Sequence, residues 1–403
     1  MQKTIIGCWF PLKKQLNFVL SLVLVLLLNG CFREESGVPS AEESKAVLKK
    51  VSFSQLSGWN RDDFGEVIPV FAKNCQNVLK NKNTYLYNSS IKIKTADYQK
   101  ACKKFAAAGI NSGAQMKKFL EGEFTPYEVS ADGNATGKFT SYYEATIHAS
   151  FEKSAKYRFP IYGKPNDLIE INLKDFDSSL PNTRLVGRVE GKKFIPYYDR
   201  RQIEQNGVKA PVLMWGDDLV DIHFMQIQGS AIAIMEDGSE LRIGFADSNG
   251  RKFKGIGSIL LQKGLIKPSE ASMTKIREWL RKNPQKAAEV MAENERFIFQ
   301  RVVDADGPVG AYGLSLTAGR SMAVDNRFIP LGAMLWLDTV NPDNGKIEKV
   351  VFAQDIGSAI KGVVRGDYFW GHGEEALAEA GRMNSAGKYY LLAPKYSAPK
   401  ADR

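Results

Sequence analysis

Histidine is scarce in this chain. His148, His223 and His372 are the only three in 403 residues, and no two share a metal-ligand spacing. Without a spare thiolate to join them they do not read as a zinc site. The alternating acidic oxygens of a calcium loop are also missing, because the residues between Asp355 and Asp367 are apolar, small or cationic. The run Gly357-Ser-Ala-Ile-Lys-Gly362 is not followed by lysine and a hydroxyl, so it is no phosphate cradle. No G-x-S-x-G elbow offers a serine nucleophile, and no internal repeat is present. These absences leave carboxylates to carry any chemistry, with no cofactor and no metal expected.

A membrane-spanning run is lacking too. The apolar stretch at residues 18–28 is about a dozen residues long, against the ~20 needed to cross hydrocarbon. It follows Lys13 and Lys14 and runs into Leu28-Asn29-Gly30-Cys31, the order of a cleaved secretory leader over residues 1–30. Small residues before a cysteine resemble the bacterial lipoprotein box, which implies that Cys31 becomes the lipidated first residue. An ordinary leader with an accidental cysteine is the alternative. Phe32 in place of aspartate favours the outer membrane, so the expected location is its periplasmic face, with residues 31–48 as a tether.

Cysteine is sparse as well. Cys8 leaves with the leader and Cys31 is taken by lipid, so Cys75 and Cys102 remain, either as one disulfide or as two separately buried thiols. Loss of Lys3, Lys13 and Lys14 with the leader lowers the formal charge from +10 to +7. A basic protein in that compartment meets acidic envelope polymers and lipid head groups, not nucleic acid, although a merely solvated basic surface fits the charge equally.

Apolar residues recur at helical spacing over residues 62–82, with Pro69 expected to kink or divide the helix, and again over residues 98–120. Beyond Pro126 the texture becomes β-rich: residues 139–151, then 184–198 with a turn at Glu190-Gly191. Two strand-like runs follow between 219 and 245 around Asp237-Gly238. A helix starts at Pro268 and a shorter one ends near Glu293. Strands return at 334–338, 346–355 and 388–393, separated by a loop and a helix over 374–382. The pattern is mainly β with α, a barrel-like α+β fold.

That loop, QDIGSAIKGVVRGDYFWGHG at residues 354–373, combines two aspartates, two cations, five glycines and three consecutive aromatics. Cleaving a glycan needs a carboxyl group held protonated beside the scissile oxygen, which apolar burial or a second carboxylate can arrange. Asp367, followed by Tyr368, Phe369 and Trp370, has both means at hand; the aromatics could equally be core.

The segments LTAGRSMAVDNRFIPLG (316–332), QDIGSAIKG (354–362) and RGDYFWGHG (365–373) resemble the C-terminal half of the membrane-bound lytic transglycosylase A family. MQIQGSA (225–231), DSNGRKFKGIG (247–257) and GKFTSYYEATIHAS (137–150) are similar to its earlier blocks. The resemblance extends over essentially the whole mature chain. It implies a double-psi β-barrel domain with a second β domain inserted, an α-helical N-terminal segment, and a glycan groove between the domains. The expected divisions are 49–145 for the helical segment and start of the barrel, 146–245 for the insert, 246–395 for the barrel with its catalytic aspartate, and 396–403 as a tail. Ser141, Ala145 and Phe253 depart from the family's usual glycine, proline and tyrosine.

By the same resemblance Asp367 is the catalytic acid and Asp355 a second aspartate of the site, unless the latter only caps loop amides. Asp325 maps onto a third, with turn chemistry of its own, and Gln228, Gly229 and Ser230 line the groove. Tyr142 and Tyr143 could stack on sugars or face the core. Lys361 and Arg365 could meet lactyl or peptide carboxylates, or simply be solvated. The implied reaction cleaves peptidoglycan between MurNAc and GlcNAc and leaves a 1,6-anhydro end. Glycan strands are the expected partner, the membrane is reached through the lipid, and proteins of cell-wall synthesis or division are further candidates. A non-catalytic peptidoglycan-binding scaffold and a true hydrolase are the competing readings.

Overall fold

The computed structural model describes residues 44–401. The leader and the expected lipidation site Cys31 lie outside them, as does the tether up to residue 43. The last part of the expected tether is not free chain, because Ala46–Lys50 pairs antiparallel with Phe124–Ala131. Ala46–Lys50 is the outer strand of its sheet, so alternate backbone groups of these residues are satisfied by the neighbouring strand.

The helical segment follows. Phe64–Lys80 starts where the Asp63 carboxylate accepts from the Gly65 amide, and it buries Val67, Val70, Phe71, Cys75 and Val78. Pro69 does not divide this helix. It sits in the second turn, four residues after Gly65, where one backbone bond is lost, and the buried face on either side holds the chain helical. The pattern over 98–120 forms two helices instead of one. Thr95–Ala108 ends at Gly109, whose φ of +58° suits a residue without Cβ, and Gly113–Glu123 begins after the Ser112 cap. Cys75 and Cys102 are joined in a disulfide that ties the first helix to the second. Arg320, fully buried, bonds both carboxylate oxygens of Asp62 at 2.8 Å and Glu66 at 2.8 Å, docking this segment on the strands behind it.

Six strands close on themselves. Asn384–Pro394 pairs with Met334–Val340, which pairs with Lys346–Asp355, which runs parallel beside Ser321–Val324. Ser321–Val324 pairs with Arg365–His372, which runs parallel beside Gly137–Ser150, and that strand returns to Asn384–Pro394. The closed barrel with two parallel pairs agrees with the expected α+β barrel class. Phe139, Met322, Trp336, Phe352, Tyr389 and Leu391 lie in the main core with Phe71 of the first helix. Residues 365–372, read from sequence as loop, are a strand, because both neighbours supply ladder partners and Tyr368, Phe369 and Trp370 favour the extended chain despite the flanking glycines.

Gly137–Ser150 belongs to two sheets. Its first half pairs inside the barrel, and from Ala145 onward it pairs with Ser230–Met235. Glu240–Ser248 and Ile298–Val303 extend this second sheet, so its strands continue past the expected boundary at residue 245. Residues 219–228 are a helix, not a strand. The Asp218 carboxylate caps the first amides of Leu219–Gln228, and the helix is apolar on nearly every side because it is buried among Ile256, Ile259, Ile276 and Leu280. A hairpin of Arg184–Glu190 and Lys193–Pro196 turns at Gly191. At the C-terminus the expected tail is partly ordered, with Lys400–Ala401 paired to Ile91–Lys92.

Candidate active site

Register places the site. Ala323 pairs with Asp355 on one side and with Asp367 on the other, and Asp367 pairs in turn with Thr140. Paired residues share a face, so Asp355, Ala323, Asp367 and Thr140 form a row across four strands. Two strand spacings put the aspartate Cα atoms about 10 Å apart, with only the Ala323 methyl between. The row forms part of the floor of a cleft of 880 Å³, whose lining also includes Phe245, Phe253, Arg296 and Arg301 of the second domain.

Both carboxyl groups are pushed toward the neutral form. Burial raises Asp355 to about 6, and the charge of Asp367 adds to this, against the lowering effect of the Ala311 and Ile356 amides and the Tyr142 hydroxyl. The Ala311 amide donates to Oδ1 of Asp355 at 3.0 Å and the Tyr142 hydroxyl lies 3.0 Å from Oδ2. Burial likewise raises Asp367, opposed by the Thr140 hydroxyl and the Arg365 charge. The Thr140 hydroxyl bonds Asp367 and accepts from the Arg365 guanidinium at 2.7 Å, so it bridges cation and carboxyl. Burial pushes the Arg365 guanidinium down, and the charge of Asp367 works against that.

Gln228, Gly229, Ser230, Tyr142, Lys361 and Arg365 all line the same cleft. Gly229 is the left-handed cap of the helix Leu219–Gln228, and the Gln228 side chain accepts from the Tyr143 amide at 3.2 Å. Two expected residues do not reach the cleft. Neighbours on a strand face opposite ways, so only one of Tyr142 and Tyr143 can point into it. Tyr143 lies in the core of the second domain with its hydroxyl held by Arg277 at 2.9 Å. Asp325 is buried. Burial would raise it, but the Arg327 guanidinium at 2.7 Å and the Gly362 amide at 2.8 Å hold it below the ordinary carboxylate value. Through the Gly362 amide it holds the turn that leads into the strand of Asp367. Thr140 and Ala311 were not singled out in the sequence. Thr140 stands at the alternation partner of Tyr142 and was accessible from it, whereas the Ala311 amide has no sequence signal.

Residues 138–301 match the family model of the MltA specific insert domain, and residues 320–393 match the 3D domain. The crystal structure of MltA from Neisseria gonorrhoeae is 34% identical, covers 89% of this chain and 95% of that one, and superposes with a TM-score of 0.76. The chain belongs to the MltA family. A membrane-bound lytic murein transglycosylase from Agrobacterium tumefaciens is 29% identical over 86% of this chain and 98% of that one, with a TM-score of 0.76. The membrane-bound lytic murein transglycosylase A of Escherichia coli K12 is 26% identical over 83% of this chain and 82% of that protein. Among the described residues of this MltA family member, no helix is long and apolar enough to cross a membrane.

Proposed function

We propose that this protein is a peptidoglycan lytic transglycosylase that cleaves the β-1,4 bond between MurNAc and GlcNAc, with Asp367 acting first as acid and then as base. The observation that carries this reading is the row of Asp355, Ala323, Asp367 and Thr140 in the cleft, with both carboxyl groups raised by burial. Family membership supports the same chemistry.

Protonated Asp367 gives its proton to the bridging oxygen as the bond to C1 of MurNAc breaks, and GlcNAc leaves with a free 4-hydroxyl. The positive charge that develops at C1 is met by the C6 hydroxyl of the same sugar, an intramolecular attack with a large effective molarity. The Asp367 carboxylate takes the proton of the C6 hydroxyl as its oxygen closes on C1 to form the 1,6-anhydro bridge, so no water is consumed and the acid is regenerated. An ordinary glycosidase needs a second carboxylate to attack or to activate water. Here Asp355, itself raised to about 6 by burial and by the charge of Asp367, stabilises the oxocarbenium-like state electrostatically in its ionised form. Gln228, Gly229 and Ser230 offer amide and hydroxyl partners to sugar oxygens, and Lys361 and Arg365 meet lactyl or peptide carboxylates. Barrel and insert form the two walls, and lipid on Cys31 holds the enzyme to the periplasmic face of the outer membrane.

The test digests purified sacculi with the protein lacking its first 31 residues and weighs the soluble muropeptides by mass spectrometry. Anhydro products, one water lighter than hydrolysis products, are expected. Asp367→Asn should cut release by at least about 10²-fold while sacculus binding persists. Reducing-end products would instead make the protein a hydrolase, and binding without release a scaffold. Full activity of Asp367→Asn would overturn the assignment.

A further inference from the structure

Between residues 73 and 118 the chain carries ten lysines and a single acid, Asp97. The fold gathers several of these with C-terminal lysines. Lys100, Lys103 and Lys104 lie at i, i+3 and i+4 on the helix Thr95–Ala108 and so share one face. The Lys100 ammonium sits 4.5 Å and the Lys104 ammonium 5.6 Å from the ring centre of Tyr396, which is 66% exposed. Lys395 reaches the carbonyl of Gly122 at 3.1 Å, and Lys400 stands opposite Lys92, whose ammonium lies 5.7 Å from the exposed ring of Tyr85. Glu123 pairs with Lys104 at 2.7 Å, and Asp97 stands in the first turn of the helix.

Lysines interleaved with exposed tyrosines suit one kind of surface well. Tyrosine settles at the head-group level of a bilayer, and lysine is drawn to anionic leaflets. The point where the chain enters the body favours the same partner. Lys45 is fixed by Asp132, and Ala46–Lys50 then runs along Phe124–Ala131 until the Val51 amide meets Pro126 at 3.0 Å. The entry point stands opposite Ala131, seven residues or about 24 Å along the strand from Phe124, which directly follows Glu123, the partner of Lys104. From Cys31 to Ser44 the sequence extends at most about 45 Å.

We propose that this lysine and tyrosine face docks on the anionic phospholipid head groups of a bilayer surface, a second contact beside the lipid expected on Cys31. A single acyl chain or a single charged patch binds reversibly. Two contacts on one body reinforce each other through their effective concentration. The docking is independent of the catalytic reading and stands or falls without it.

Residues 45–403 form one compact unit, so the unlipidated protein lacking its first 31 residues can be used directly. Its co-sedimentation is measured with vesicles of phosphatidylglycerol and phosphatidylcholine in equal parts, and with vesicles of phosphatidylcholine alone. Binding is expected to the mixed vesicles only and to fade as salt rises. Each lysine near an anionic surface contributes about fivefold, so the triple variant Lys100→Glu, Lys103→Glu, Lys400→Glu should bind about 10²-fold more weakly or worse. The charge-matched variant Lys275→Glu, Lys282→Glu, Lys286→Glu on the inserted domain should bind like the parent. Muropeptide release from sacculi and thermal melting should be unchanged in both, which separates this outcome from misfolding and from loss of catalysis. Equal binding to both vesicle types, no binding to either, or parent-like binding by the first triple variant would overturn the proposal.

Discussion

Asp367 faces two opposing influences, and their balance sets the pH range in which it can act. Burial favours its protonated form, while the Thr140 hydroxyl and the Arg365 charge favour the carboxylate. An acid works while protonated, so activity should fall as pH rises through its pKa. Removing a group that stabilises the charged form raises that pKa and moves the fall to higher pH. Thr140→Val should therefore shift the alkaline limb of kcat/KM upward by about one to two pH units, given that a hydrogen bond to a charged group is worth about 1.5–3 kcal/mol. A limb that stays in place or moves down would show that another group sets the profile. A purely structural role for Thr140 would lower the rate at every pH and leave the limb unmoved.

At the scale of elements, the disulfide between Cys75 and Cys102 closes a loop with a sequence separation of 27 between two helices. Replacing both cysteines by serine should lower unfolding free energy by about 3 kcal/mol, read from denaturant melts without reductant. Elements with strong local signals were legible in the sequence. The hairpin around Gly191 and the helix carrying Ile276 and Leu280 announced themselves through turn chemistry and periodicity. Two were not. LVDIHFMQIQ has apolar and β-branched residues on almost every side because the helix is buried, and so offers no stripe to separate it from a strand. RGDYFWGH reads as a loop because its β conformation is imposed by two partner strands distant in sequence. Asp355 and Asp367 could be found from their chemistry and family blocks. The Thr140 bridge and the row over Ala323 depend on long-range register, which no local window contains.

For the whole molecule, two sheets that share one strand should not unfold separately. The inward face of Gly137–Ser150 places Phe139 in the barrel core and Tyr143, Ala145, Ile147 and Ala149 in the core of the second domain. Calorimetry of the protein without its first 31 residues should show one endotherm, and two resolved endotherms would mean that the halves melt independently. The same strand carries Thr140 and Tyr142 on its cleft face. Because side chains alternate with a period of two, inserting a single residue early in this strand would turn every later side chain over. Both hydroxyls would leave the aspartates while both cores lost their apolar contacts at once. Barrel and insert are thus locked to a common frame, and neither can drift in length along that strand without the other.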